Sequence, residues 1–174
     1  MREYNQSHYP SPIGLMRISA GKNGLLGLSI SSINSSQSKA GAALISTEAP
    51  EFMIVRQLIK ELDAYFSGDL KQFSIAIDWE QFSDFQREVL SWSARIPYGE
   101  VWTYGELARK LGKPKAARAV GNALGSNPLL ILIPCHRVIG SDRRLHGYAG
   151  GSDAKAFLLR LEGHQIEADR VYRS

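Results

Sequence analysis

A chain of 174 residues, 44% apolar and 22% charged, has the make-up of a soluble globular protein of one or two small domains, and no apolar stretch approaches the length of a membrane span. Its one cysteine excludes an internal disulfide and any multi-cysteine zinc site and fits a reducing cytoplasm, and the start Met1-Arg2-Glu3-Tyr4-Asn5 has no apolar signal core, so export is not expected. The net charge of +4 is unevenly placed: −1 over residues 1–80, +5 over 81–174, and +7 between Arg109 and Arg144, a window whose one acid is Asp142; such a block suits a polyanion such as DNA or RNA, or a solvated basic surface.

Residues 13–19 and 25–30 read as two short strands around the turn cluster Gly21-Lys22-Asn23-Gly24. Residues 31–42 are rich in Ser, Asn, Gln and Gly and are expected to form a loop. A helix is predicted from Pro50, with Phe52, Val55, Ile59, Leu62 and Phe66 as its apolar stripe and Gly68 as its stop. Phe73, Ile75 and Ile77 alternate as a strand would. This half reads as a small α/β unit with a short antiparallel sheet, residues 1–80, and carries no chemical constellation.

The second half, residues 81–174, reads as mostly helical, which makes the chain α+β overall. Ser83-Asp84-Phe85-Gln86 fits a capping box, and Phe82, Phe85, Val89 and Trp92 hold helical spacing up to Ile96-Pro97. Thr103-Tyr104-Gly105-Glu106 is a second box, opening a helix through Leu107 and Leu111 to Gly112. Pro114 is expected to open a third helix, ending at Gly125, so the pair forms a helix-turn-helix candidate. In that third helix Ala116, Val120 and Leu124 can face inward, with Lys115, Arg118 and Asn122 opposite, among the small residues Ala117, Ala119, Gly121 and Ala123. A slim helix with one long cation suits close approach to a minor groove; alanines chosen for helix propensity are the plainer alternative.

The cysteine follows an apolar run, in Ile131-Leu132-Ile133-Pro134-Cys135-His136-Arg137-Val138. Neighbouring His and Arg favour a thiolate, the reactive form. Locally, a buried thiol acting as a small hydrophobe stands as an equal reading.

Pro134-Cys135-His136-Arg137-Val138 closely resembles the active-site signature of the O6-alkylguanine-DNA alkyltransferases, and the likeness extends in order and spacing from about Phe82 to Gly163. Val101-Trp102-Thr103-Tyr104-Gly105-Glu106-Leu107-Ala108 is similar to the first helix of that family's helix-turn-helix, and Pro114-Lys115-Ala116-Ala117-Arg118-Ala119-Val120-Gly121 to its recognition helix. Asn127-Pro128 is similar to its hinge, Gly147-Tyr148-Ala149-Gly150-Gly151 to its substrate loop, and Leu158-Leu159-Arg160-Leu161-Glu162-Gly163 to its final helix. A looser N-terminal likeness rests on Ser11-Pro12-Ile13-Gly14 and Leu62-Asp63-Ala64-Tyr65-Phe66-Ser67-Gly68.

The resemblance implies a DNA-repair protein that flips O6-alkylguanine, and also O4-alkylthymine, from the duplex and moves the alkyl group irreversibly to Cys135. His136 would be the base that takes the thiol proton through a water, Glu162 the acid that orients it, and Tyr104 the donor toward the leaving guanine. Asn127 would be the hinge residue. Arg118 would fill the gap left by the flipped base, with Lys115, Ala117, Ala119, Gly121 and Asn122 around it on the DNA. Leu124, Val138, Tyr148, Ala149 and Gly150 would wall the base pocket. The implied partner is duplex DNA carrying alkylated guanine, approached through the minor groove by a monomer that clusters weakly, in the cytoplasm and with no membrane association. No cofactor is implied. Some relatives carry zinc in the N-terminal half, but this chain has no cysteine there, and His8, His146 and His164 lack metal-ligand spacing, so no metal is expected. Residues 140–146 depart from the family pattern: Arg143 and Arg144 replace small residues, and His146 stands where a small hydroxyl residue is frequent. The alternatives are a lesion binder that transfers nothing, which would lack the cysteine; a Cys–His hydrolase, which would need a second His reaching the thiol; and a non-enzymatic helix-turn-helix regulator.

Overall fold

The cluster Gly21-Lys22-Asn23-Gly24 closes a hairpin of β2 (Gly14–Gly21) and β3 (Gly24–Ile30), with Gly21 opposite Gly24. This is a computed structural model, and it describes residues 5–30 and 49–172; the loop expected at 31–42 lies outside them. An additional strand, β1 (Asn5–Ser11), pairs antiparallel with β2, giving the order β1-β2-β3. Its polar residues and Pro10 gave no strand pattern; as an edge strand it tolerates a proline. Met16, Ile18 and Ala20 turn to the core from β2 and Arg17 turns away, the two-residue period of a half-buried sheet.

Helix α1 (Pro50–Phe66) buries Val55, Leu58, Leu62 and Tyr65, while Phe52, Ile59 and Phe66 are only half-buried. The core-facing stripe is therefore rotated from the expected one, toward the face that carries Leu58 and Tyr65. Tyr9 donates to Asp63 Oδ1 at 2.7 Å, tying β1 to this helix. The expected strand at Phe73-Ile77 is instead an extended segment with a single bridge, Ile77 to Leu25. Its backbone bonds are Leu25 N–H to Ala76 O (2.8 Å) and Asp78 N–H to Leu25 O (3.1 Å). Gly24 permits this approach, since a Cβ there would lie 2.8 Å from Ala76 O and Asp78 N.

The chain divides into two compact units, Met1–Asp78 and Trp79–Ser174. In the second, Ser83 caps α2 (Asp84–Ser93) by accepting Gln86 N–H, but the Gln86 side chain bonds Ser126 rather than returning to the cap, so the first box is only half made. The second box is complete: Thr103 Oγ1 accepts Glu106 N–H at 3.1 Å and Glu106 Oε2 accepts Thr103 N–H at 2.6 Å, opening α3 (Tyr104–Lys110). Helix α4 (Ala117–Gly125) begins three residues later than expected, because residues 114–116 form a turn. Lys115 thus precedes the helix, and the buried face is Val120, Ala123 and Leu124 rather than Ala116, Val120 and Leu124.

Helices α2, α3 and α4 pack on one another. Strand β4 (Trp102–Thr103), just before α3, pairs in parallel with β5 (Val138–Ile139), just after the cysteine segment, and so brings the cysteine beside the start of α3. Helix α5 (Ser152–Leu161) and the hairpin β6 (Gln165–Glu167) and β7 (Arg170–Tyr172) end the described chain. Among the described residues the fold is mixed α+β, with a small three-stranded antiparallel sheet and five α-helices. None of the described helices is long and apolar enough to cross a membrane.

Candidate active site

Between α4 and the cysteine the chain makes a tight bend over residues 127–133. Asn127 holds it together: its Oδ1 accepts Leu129 N–H at 3.0 Å, and its Nδ2 donates to Ile133 O at 3.0 Å and Leu129 O at 3.3 Å. The bend forces buried Ile131 to φ 71°, a left-handed conformation that a β-branched residue adopts only under constraint. Such strain is carried by the bonds around it, which is consistent with Asn127 being buried and fully used.

The Asn127 amide also reaches the thiol, with Nδ2 3.2 Å from Cys135 Sγ. Cys135-His136-Arg137 form a single turn of 3-10 helix rather than an extended segment. At three residues per turn, successive side chains still diverge, so His136 does not face its neighbour's sulfur directly.

His136 Nε2 lies 2.9 Å from Glu162 Oε1, and both side chains are fully buried. Glu162 also accepts Arg137 Nε at Oε2 (2.8 Å) and Arg137 NH2 at Oε1 (2.9 Å), while Arg137 NH1 donates to Ile96 O at 2.6 Å. Gly99 N–H adds a longer bond to Glu162 Oε2 at 3.4 Å. A carboxylate at the C-terminal end of α5 opposes the helix dipole, and this bidentate guanidinium is the partner that offsets it. Burial alone would push the Glu162 carboxyl up, but the hydrogen bonds from His136 and Arg137 and the Arg137 charge hold it well below the ordinary carboxylate range.

The charge state at rest differs from the expectation that His136 and Arg137 favour a thiolate. Burial pushes the Cys135 thiol up, against the opposing pull of Asn127, the Lys155 charge and the amides of Cys135 and His136. Burial likewise lowers His136, outweighing Glu162, so the imidazole is neutral. Arg137 spends its donors on Glu162 and Ile96. With Nε2–H donated to Glu162, Nδ1 is the basic ring atom, and it has no protein hydrogen bond. The resting pair is a thiol and a neutral base.

Tyr148 stands edge-on to His136, ring centroids 6.2 Å apart, and its buried hydroxyl has no hydrogen-bond partner. Burial, together with the charges of Cys135 and Glu162, pushes that phenol well above its ordinary value. Tyr104, the first residue of α3, donates to His146 O at 3.3 Å, and burial followed by the Cys135 charge raises it too. Gly121 lies against the Tyr104 ring: a Cβ there would sit 3.7 Å from it. Leu124 and Val138 are buried, Gly150 is half-buried and Ala149 is exposed. Arg118, Ala119 and Asn122 are exposed on α4, Ala117 is half-buried, and Lys115 is exposed in the preceding turn. Of the eight cations in the basic window, Arg137 is internal, so it adds nothing to the surface charge.

Lys155 escaped the sequence reading. It is fully buried on α5, and its Nζ donates to Val138 O and His146 O, both at 2.7 Å. Burial lowers its pKa to about 8, with the Cys135 charge opposing the fall. The available signal was spacing: Lys155, Leu158, Leu159 and Glu162 share one helical face, and all are buried.

Residues 84–164 match the family model described as 6-O-methylguanine DNA methyltransferase, DNA binding domain. The chain is 41% identical over 155 residues to a methylated-DNA–protein-cysteine methyltransferase of Methanosarcina acetivorans, covering 89% of this chain and 96% of that one. It is similar to the crystal structure of the Mycobacterium tuberculosis O6-methylguanine methyltransferase, with TM-score 0.78, 36% identity, and 96% and 97% of the two chains covered. The same holds for a structure of Mycobacterium tuberculosis OGT in complex with DNA, at TM-score 0.73, 38% identity, and 89% and 90% coverage.

Proposed function

The chain belongs to the methylated-DNA–protein-cysteine methyltransferase family, and on that premise we propose how its own residues carry out the transfer. It is a DNA-binding repair alkyltransferase. As the chain's one cysteine, Cys135 is the acceptor, and the substrate is duplex DNA with an alkylated guanine, or O4-alkylthymine, flipped from the stack. The observation that carries this reading is the Asn127–Sγ contact beside the His136–Glu162–Arg137 chain.

His136 Nδ1 takes the Cys135 proton through a water, and Glu162 stabilises the imidazolium that forms. The thiolate attacks the alkyl carbon: the C–S bond forms as the C–O6 bond breaks, and the electron pair passes to the guanine. Tyr104 gives its hydroxyl proton to the departing base, and the proton taken from the thiol passes from His136 through water to restore the Tyr104 hydroxyl, so protons balance and no other reagent is consumed. Asn127 and the charge of Lys155 steady the sulfur while it is negative. Tyr148 offers its unpartnered hydroxyl to the base, with Leu124, Val138, Ala149 and Gly150 completing the pocket. The thioether has no route back, so each molecule acts once.

Helices α3 and α4 act as the helix-turn-helix. The slim α4 lies in the minor groove, with Arg118 entering the space of the flipped base and Lys115, Ala117, Ala119, Gly121 and Asn122 along the backbone. The protein acts as a monomer in the cytoplasm.

Incubation with excess O6-methylguanine duplex is expected to add one methyl group per molecule by intact mass, located on Cys135, and none in Cys135→Ser. An unchanged wild-type mass with the lesion intact, or turnover beyond one equivalent, contradicts the reading. Arg118→Ala is expected to slow transfer from duplex DNA about 10- to 100-fold, since unstacking a base costs a few kcal/mol. Reaction with free O6-benzylguanine base should stay near wild type. Equal losses on both substrates would remove Arg118 from base flipping.

A further inference from the structure

We propose that the C-terminal hairpin β6–β7 is a positioning element for the active-site loop, with Val171 and the Asp169 carbonyl as its anchors, and that it sets how large an adduct the site accepts. The proposal rests on the alkyltransferase reading above.

The loop of residues 140–147 is shaped from within. Gly140 N–H donates to Arg144 O at 3.1 Å, Arg143 N–H to Gly140 O at 2.9 Å, and Arg144 N–H to Asp142 Oδ1 at 3.1 Å. The His146 ring closes on Asp142 at 3.1 Å and 3.2 Å, and both side chains lie where any Cβ on Gly140 would strike them. These bonds give the loop its form but do not fix where it stands against Tyr104 and Lys155.

Two sets of contacts from outside do that. At its far end, the His146 carbonyl receives Lys155 Nζ (2.7 Å) and the Tyr104 hydroxyl (3.3 Å). At its middle, Leu145 N–H donates to Asp169 O and Val171 N–H donates to Arg143 O, both at 2.9 Å, so Arg144 stands opposite Arg170 in an antiparallel bridge. The loop is in effect a third strand of the terminal hairpin. Beneath it Val171, 1% exposed, packs with Ile139 and Leu159, and Val101, Leu145 and Ile166 close around them.

Leu145 is therefore clamped by the hairpin, and the next carbonyl, that of His146, is the acceptor for Tyr104. Displacing the hairpin moves the wall of the site and the hydroxyl that faces the leaving base together. The turn that presents the Asp169 carbonyl has Ala168 at φ 45° and Asp169 at φ 60°, both left-handed and neither a glycine. Those are the angles a two-residue hairpin turn requires, set by the Glu167–Arg170 pairing, and the turn so formed presents the Asp169 carbonyl to Leu145.

The test compares single-turnover rates for O6-benzylguanine and O6-methylguanine in the same duplex, for wild type and Val171→Ala. The ratio of the two rates is independent of the fraction of protein folded. Val171→Ala removes two methyl groups from beneath the loop, and the benzyl-to-methyl ratio is expected to rise about 5- to 10-fold. Hydrogen exchange should show the Leu145 amide losing protection. A simple loss of fold would lower both rates equally and leave the ratio alone. A ratio within about twofold of wild type overturns the proposal, as does a Leu145 amide that stays protected. If wild-type protein takes no methyl group at all, the alkyltransferase reading is what fails, and the exchange result alone decides the hairpin's hold on the loop.

Discussion

Glu162→Gln is expected to slow alkyl transfer by about 10²- to 10⁴-fold and to destabilise the fold by about 3–5 kcal/mol. The carboxylate accepts from His136 Nε2 and Arg137 NH2 on Oε1, and from Arg137 Nε and Gly99 N on Oε2. A glutamine keeps one acceptor oxygen. If that oxygen stays on His136, its amide group faces the Nε–H of Arg137 and the Gly99 N–H, donors against donors. If it flips, the amide donates to His136 Nε2 and drives the proton to Nδ1, the atom proposed to accept it from the thiol. Either way the Arg137 guanidinium loses its counter-charge in a buried setting, which is the costly half of breaking such a pair.

The pH dependence carries the same signature. The Glu162 carboxyl is held below its unfolded value, so its contribution is complete above about pH 4.3 and is lost as pH falls toward the folded value. Wild-type protein should lose stability in that acid range along a steeper course than Glu162→Gln. Urea melts across pH, paired with single-turnover mass measurements, check both effects. A Glu162→Gln protein that transfers at the wild-type rate would remove Glu162 from the proton path.

Lys155→Met is expected to slow transfer about 10²-fold, the scale of losing one fixed charge-stabilising group in a dry site. The lysine is the cation that opposes the upward push of burial on Cys135, and the reaction develops its negative charge on that sulfur. Methionine fills similar space but removes the donor from the Val138 carbonyl, at about 1–3 kcal/mol, while the His146 carbonyl keeps the Tyr104 hydroxyl.

Lysine's folded pKa of about 8 gives a directional test. Above it the amine is neutral, and wild-type transfer should decline as pH rises through 8. Stability moves the other way: the unfolded chain binds the extra proton between the folded value and about 10.4, so this group favours folding increasingly across that window. The neutral amine still has two N–H groups for its two carbonyls. Rate profiles and melts from pH 7 to 10 separate the two trends, and Lys155→Met should lack the alkaline decline. A decline that persists unchanged in the variant assigns it to another group.

Features set by neighbours along the chain were readable before folding. The Thr103–Glu106 box, the Ser83 cap and the hairpin at 21–24 need only a few residues in order, because the bonds that make them span three or four positions. The Pro134-Cys135-His136-Arg137-Val138 signature was legible for the same reason. Where a reading depended on what lay opposite, it slipped. Phe73, Ile75 and Ile77 do alternate, yet only one bridge forms, since strand pairing needs a partner in register. The terminal hairpin turns on Ala168-Asp169, which carries none of the Asn-Gly chemistry that marks a tight turn. Arg137 counted toward a basic surface, but its guanidinium faces inward.

The sequence by itself determined the family and held the one cysteine and the histidine proposed as acceptor and base, because those are matters of residue identity and spacing. Only the tertiary structure decided their protonation: Cys135 at rest a thiol, His136 neutral, Glu162 a firm anion and Lys155 poised near pH 8. Each of those states is a balance of desolvation against charges far away in the chain. Such a balance exists only once α5 lies against the cysteine turn and water has been excluded from both.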